Sequence, residues 1–275
     1  MQEQVCKNCG NDFIGTFCSR CGEKIYSDND KVVAHLFEEA FHFITHFEGK
    51  FFTSLKTIVG KPGKLSMDFC NGIQKKYFKP LSFFLLLVIV YLLFPLFEGL
   101  NMQLHFYTTN DCFGEYAGAK VESVMNARGM SFEQISEVFH RKGEKVSKFL
   151  LFTIIPVMAL LSWLTGFKKR RFYYDHFIFS TEVSSFFLLW GFLLFPLILF
   201  TVRKVTGSTF LDKESYVAVV ILLAMLLFLT IGAKRFFKFR LWYSIAYSLL
   251  YILIMMAFVN YIYKFVLFLL AINQV

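Results

Sequence analysis

Five stretches of this 275-residue chain are apolar over lengths that suit the hydrocarbon core of a bilayer. A membrane-crossing helix needs about 20 mostly apolar residues, and residues 81–97, 149–167, 177–201, 216–233 and 241–263 meet that need. The first run opens after Pro80, a residue preset for a helix start. Pro156 and Pro196 lie inside later runs, where neighbouring helices can re-satisfy the carbonyl that proline frees. Residues 265–272 are too short to span alone and are expected to extend the fifth helix. Charged residues make up 18% of the chain, against roughly 25% in soluble domains. Disorder and a disulfide-rich secreted scaffold are thereby excluded, and the bilayer-length apolar runs argue against an ordinary cytosolic enzyme. The expected fold class is an all-α polytopic membrane protein of about five transmembrane helices, carrying a small N-terminal four-cysteine zinc ribbon.

Charge gives the orientation. Lys and Arg total 29 and Asp and Glu 20, a formal net charge of +9. Phosphate binding needs a basic footprint, but here the basic residues flank apolar runs. They are Lys75, Lys76 and Lys79, then Lys168, Lys169, Arg170 and Arg171, then Lys234, Arg235, Lys238 and Arg240. Such placement reads as topology signals and anionic headgroup contacts, so membrane lipids are the expected partners and nucleic acid is not. Loops 168–176 and 234–240 are basic, whereas in loop 202–215 Arg203, Lys204 and Lys213 are offset by Asp212 and Glu214. The positive-inside rule then puts the N-terminus in the cytoplasm and the C-terminus outside.

Three blocks follow: a cytoplasmic ribbon at 1–26, an amphipathic interfacial helix with a basic linker at 27–79, and a transmembrane domain at 80–275. Within the last, the nearly neutral insertion 98–148 is expected outside as a small helical cap. Its Ser131-Phe-Glu-Gln134 reads as a capping box whose helix runs on into the second span.

The strongest chemical signal is Cys6-Lys-Asn-Cys9-Gly10 followed by Cys18-Ser-Arg-Cys21-Gly22. The polar start lacks the apolar core of a cleaved signal, so it is read as mature and cytoplasmic, where thiols stay reduced. In each knuckle two thiolates turn toward one point and the following Gly permits the tight backbone. Four soft thiolates suit a single structural Zn²⁺ and leave no open position for catalysis. Phe13 and Phe17 are expected to supply the minimal apolar packing, with the metal supplying the folding free energy. Unligated or redox cysteines and a rubredoxin-like iron site are the other readings of these four residues.

On a helix over 31–48, His35, Glu39, His42 and His46 form one narrow stripe opposite a Phe-rich face. The stripe is either a second metal or pH-sensing site or the wet side of a helix lying in the membrane interface. Inside the third span, Glu182 is a carboxylate in a costly place. It and His176 are the candidate intramembrane functional residues, the alternative for Glu182 being pairing with Arg235 or Arg240. Tyr243, Tyr247 and Tyr251, with Asn260, are expected to glue helices together. No GxSxG, Walker loop, dinucleotide glycine fingerprint or metalloprotease motif occurs, so catalysis is not expected.

Several of these segments resemble one family. The paired CxxCG motifs, Phe52-Thr-Ser-Leu with Lys61-Pro62-Gly63, Gly72-Ile-Gln-Lys-Lys-Tyr77-Phe-Lys-Pro80 and Tyr174-Asp175-His176 are similar to domain-of-unknown-function family 3667. That resemblance implies a bacterial inner-membrane protein with an N-terminal zinc ribbon held by the four cysteines, and it implies no activity. The leading expectation is a non-enzymatic membrane protein whose ribbon and interfacial helix bind a protein partner or act as a sensor. The alternative is a small-solute, ion or lipid transporter using the polar residues of the third span.

Overall fold

The computed structural model describes residues 3–25, 49–93, 102–206 and 214–275. In chain order these form β1 (Glu3–Val5), β2 (Asp12–Ile14), α1 (Lys50–Gly60), α2 (Lys64–Cys70), α3 (Pro80–Leu93), α4 (Leu104–Thr108), α5 (Gly114–Arg128) and α6 (Phe132–Gly166). Then come α7 (Tyr173–Phe187), a π-helical segment (Leu188–Leu194), α8 (Phe195–Thr206), α9 (Glu214–Phe237) and α10 (Leu241–Ala257). A second π-helical segment (Phe258–Tyr263) and α11 (Lys264–Ile272) close the chain. The helices fall into two compact units, one of Met1–Phe94 with Ile155–Tyr251 and one of Pro95–Ile154 with Ile252–Val275.

Among the described residues three helical stretches are long and apolar enough to cross a membrane: Tyr173–Val202, Tyr216–Phe237 and Leu241–Ile272. The bent pair Phe132–Ser147 and Leu150–Gly166 makes a fourth if it is one span. The chain is thus a mostly helical, multi-pass membrane protein. Pro80–Tyr91 is a shorter apolar helix. As expected, α3 starts at Pro80 and the apolar tail continues the last helix to Ile272. Pro196 supplies no N–H and its ring crowds the carbonyl four residues back. The helix widens just before it, and the Phe195 N–H reaches back five residues to the Trp190 carbonyl.

In the first unit, α1 and α2 form a helical pair where the sequence suggested only a basic linker. Pro62 cannot continue α1, and Gly63 reverses the chain at φ +72°. Leu65, Ser66, Asp68 and Phe69 of α2 are buried, and α2 packs on α7 and α9. The Gly63 backbone meets that of Gly232 so closely that a Cβ at 63 would lie 2.6 Å from the Gly232 carbonyl oxygen. Between α7 and α9, Phe179 stacks on Phe236 and Phe186 on Phe228, with ring centroids 5.1 and 3.9 Å apart.

In the second unit the described part of the insertion holds α4, α5 and the start of α6. The Ser131 N–H donates to Gln134 Oε1 (2.9 Å) while the Gln134 N–H donates to Ser131 Oγ (3.4 Å). The helix so capped extends to Gly166, with a bend of 47° between its two halves. Tyr107, Phe139 and Phe268 make an aromatic core, with Tyr107 5.3 Å from Phe139 and 6.0 Å from Phe268.

Candidate metal centre

The two knuckles are built alike. In the first, the Gly10 N–H donates to the Cys6 carbonyl; in the second, the Gly22 N–H donates to the Cys18 carbonyl, each at 2.8 Å. Both glycines take positive φ, +73° and +67°, which only glycine adopts without penalty. The antiparallel pair β1–β2, with Gln4 opposite Phe13 and Val5 opposite Asp12, leads the chain into the first knuckle. The Cys6 and Cys18 side chains are buried, and those of Cys9 and Cys21 are half-buried.

All four sulfurs lie within 4.8 Å of one another. Cys6 Sγ is 3.5 Å from Cys21 Sγ, and Cys9 Sγ is 3.6 Å from Cys18 Sγ. A tetrahedral site with metal–sulfur bonds of about 2.3 Å has sulfur–sulfur edges of about 3.8 Å. The cluster can therefore hold a metal ion with little rearrangement.

Its electrostatics point the same way. Desolvation opposes ionisation of Cys18, but the N–H groups of Cys21 and Arg20 and the neighbouring thiols bring its thiol down to about 6. At Cys9 the Asn11 N–H favours the thiolate. Desolvation and hydrogen bonding with Cys21, Cys18 and Cys6 outweigh it and push the thiol up to about 12. One thiolate thus forms readily and discourages the next. A cation at the centre removes that conflict.

One packing expectation is corrected. Phe13 is buried under the thiols with Ile25 partly covering them, but Phe17 is 62% exposed. Its backbone forms an isolated antiparallel bridge with Lys24, apart from the β1–β2 pair, and its side chain lies outside the core. The residue that sequence reasoning missed is Glu23. It is 4% exposed, and its carboxylate accepts the N–H groups of Gln74 (3.2 Å) and Lys75 (2.8 Å). An acidic residue after a knuckle carries no signal of such a partner some fifty positions away.

His35, Glu39, His42 and His46 lie outside the described residues. Glu182 is 1% exposed and caps the start of α2. Its Oε1 accepts the Gly63 N–H at 2.9 Å, and its Oε2 accepts the Ser66 N–H at 2.8 Å and the Ser66 hydroxyl. Arg235 donates to the Pro62 carbonyl on the same turn, and Arg240 is exposed. The Pro62-Gly63 turn flanked by Ile58, Leu65 and Phe69 was the available sign that this stretch is packed.

His176 is buried and stacks on Phe237 at 5.2 Å. Its Nε2 is 2.9 Å from the Arg170 carbonyl oxygen and its Nδ1 is 3.0 Å from Ser162 Oγ. A carbonyl only accepts, so Nε2 carries the proton and Nδ1 accepts from Ser162, which in turn accepts from the Tyr247 hydroxyl at 3.0 Å. Asn260 instead serves its own helix, donating to the Met256 carbonyl and accepting from Lys264 Nζ.

Residues 48–92 match the family described as "Protein of unknown function (DUF3667)". The match takes in α1 and α2 and almost all of α3. The ribbon, His176 and Glu182 lie outside it. No curated protein and no solved structure matches the chain.

Proposed function

We propose that this is a non-enzymatic bacterial inner-membrane protein whose cytoplasmic ribbon, with the segment that follows it, forms a partner-binding or sensing module. The ribbon holds one structural Zn²⁺ at Cys6, Cys9, Cys18 and Cys21, and five spans place the N-terminus inside and the C-terminus outside. The observation that carries the reading is the two-sidedness of the ribbon. One side is tied to its own unit by Glu23, while Val5, Ile14 and Phe17 stand 66%, 61% and 62% exposed. Val5 and Ile14 share one face of the β1–β2 pair, since their cross-strand partners are Asp12 and Glu3. A module this small, with three large apolar side chains left out of a minimal core, is suited to docking another protein.

The transport alternative draws on Glu182. Both of its oxygens accept hydrogen bonds from Gly63 and Ser66, which favours a structural carboxylate over a pathway residue.

Affinity isolation from bacterial membranes tests the proposal. Intact protein should enrich a protein partner that is lost with the Cys9→Ser, Cys18→Ser double variant. It should also be lost with Ile14→Ser, Phe17→Ser protein that retains zinc. Equal recovery with all three proteins would overturn it.

A further inference from the structure

Helix α2 is held from two directions by carboxylates, the second of them acting on the turn that leads from it to α3. At its start, Glu182 of α7 accepts the Gly63 and Ser66 N–H groups. Beyond its end, Glu23 of the ribbon accepts the Gln74 and Lys75 N–H groups. Neighbouring amides have other partners: Gly72 donates to the Phe69 carbonyl, Ile73 to the Asp68 carbonyl and Tyr77 to the Gln74 carbonyl, while Phe78 donates to Ser54 Oγ of α1 at 2.8 Å. Arg170 holds Asn71 through its side-chain oxygen at 3.2 Å. Only Gln74 and Lys75, among these amides, look to the ribbon. Five residues after Lys75 the chain enters α3 at Pro80.

Glu23 owes its position to the second knuckle. The Cys18 N–H donates to its carbonyl at 2.8 Å, and the residue before it, Gly22, ends the Cys18–Cys21 turn. The two surfaces also meet close by. A Cβ at Gly22 would lie 3.6 Å from Lys75 Nζ, and one at Gly72 would lie 3.5 Å from Lys7 Cδ. A flexible glutamate prefers water to a buried place with two amide donors, because desolvating a carboxylate is costly. A glutamate already fixed by a folded knuckle has lost that freedom beforehand and can cap the amides at little further cost.

We propose that the ribbon is a metal-dependent latch on the Gln74–Lys75 turn. With the four thiolates loaded by a divalent cation that accepts sulfur ligands, Glu23 is presented to the two amides and the approach to α3 is held. With the metal gone, the knuckle loses its shape, Glu23 returns to water and the turn is released. The inference rests on the ribbon being a metal-bearing sensing module, and adds where in the membrane unit its metal state is read.

Hydrogen exchange on the full-length protein in lipid nanodiscs, with Zn²⁺ as the metal, tests this at single-amide level. Chelation, the Cys9→Ser, Cys18→Ser variant and Glu23→Ala with zinc retained should each speed exchange at Gln74 and Lys75 by about tenfold or more. The Ile73 and Tyr77 amides, bonded within the turn, and Gly63 and Ser66, capped by Glu182, should keep their protection. If Glu23→Ala weakens metal retention, Glu23→Gln takes its place and should expose one of the two amides, since an amide side chain offers a single acceptor atom. Unchanged protection of Gln74 and Lys75 after metal removal, or in a zinc-loaded Glu23 variant, overturns the latch. Metal analysis done first separates this from failure of the metal reading itself, which would show as fresh protein without zinc.

Discussion

The ribbon and the α1–α2 pair belong to one unit and are each tied by a glutamate to backbone amides, yet they stay folded by different means. Between residues 3 and 25, Cys6, Phe13, Cys18 and Glu23 are the buried side chains among those described. That is too little apolar surface to offset the chain entropy lost on folding. In contrast, α2 alone buries Leu65, Ser66, Asp68 and Phe69 and rests on two long helices. Its carboxylate, Glu182, comes from the middle of α7, whereas Glu23 comes from a turn that four thiols must shape. The same pair of hydrogen bonds is therefore built in at one site and conditional at the other.

The widest gap between the two regions should appear on removing metal. Chelation should abolish the β1–β2 pairing and make Cys6, Cys9, Cys18 and Cys21 reactive to thiol reagents, while helical circular dichroism stays nearly constant. Ribbon signals that survive chelation in an NMR spectrum would erase the contrast. Acid should do the same as chelator, because protons compete with metal for thiolates. The sign follows from Cys18, whose thiol is lowered to about 6. As pH falls through that value Cys18 takes up its proton, so zinc release to a colorimetric chelator should climb below it. Release that grew with rising pH would contradict a thiolate site.

Glu182→Ala probes the other side of the comparison. It strands two backbone N–H groups in a buried place, at about 1–3 kcal/mol for each unsatisfied group, while the Ser66 hydroxyl keeps the Ile178 carbonyl as an acceptor at 3.4 Å. Thermal unfolding followed by protease resistance should show a loss of about 3 kcal/mol or more, with zinc content unchanged. A Glu182→Ala protein as stable as the parent would mean that α2 does not depend on its cap. The smallest effect is expected at Ser131→Ala in the second unit. Loss of that cap should cost about 1 kcal/mol and speed exchange only in the first turn of α6.

What could be read from the residues was what local physics decides. The CxxCG pairs announce four converging sulfurs by spacing alone, Pro80 announces a helix start, and Ser131 with Gln134 announces a reciprocal cap. Each involves residues a turn or two apart. Of the five expected spans three, or four if the bent pair counts as one, stand among the described residues as helices long and apolar enough to cross, since spanning a bilayer is a matter of length and composition. Glu23, Ser66 and Gly63 escaped notice because their partners are Lys75, Glu182 and Gly232, far away in the chain. Phe17 was misplaced because composition cannot say which of two phenylalanines near a knuckle points inward. The basic residues around Pro62 drew attention to charge and away from Ile58, Leu65 and Phe69, which are buried.

The contact between Gly63 and Gly232 carries a genetic consequence. Side-chain clashes can be relieved by trimming the partner, which is how many paired substitutions arise in a lineage. Here the obstacle a new Cβ at 63 would strike is main chain, the Gly232 carbonyl oxygen at 2.6 Å and Cα at 2.8 Å. Position 232 is already the smallest residue there is, so no exchange at that position can make room. The reverse is milder, because a Cβ at 232 would meet Phe179 at 3.4 Å and the Gly63 nitrogen at 3.5 Å. Tolerance to substitution at this crossing is therefore one-sided: alanine at 232 meets only ordinary contacts, whereas any side chain at 63 meets main chain.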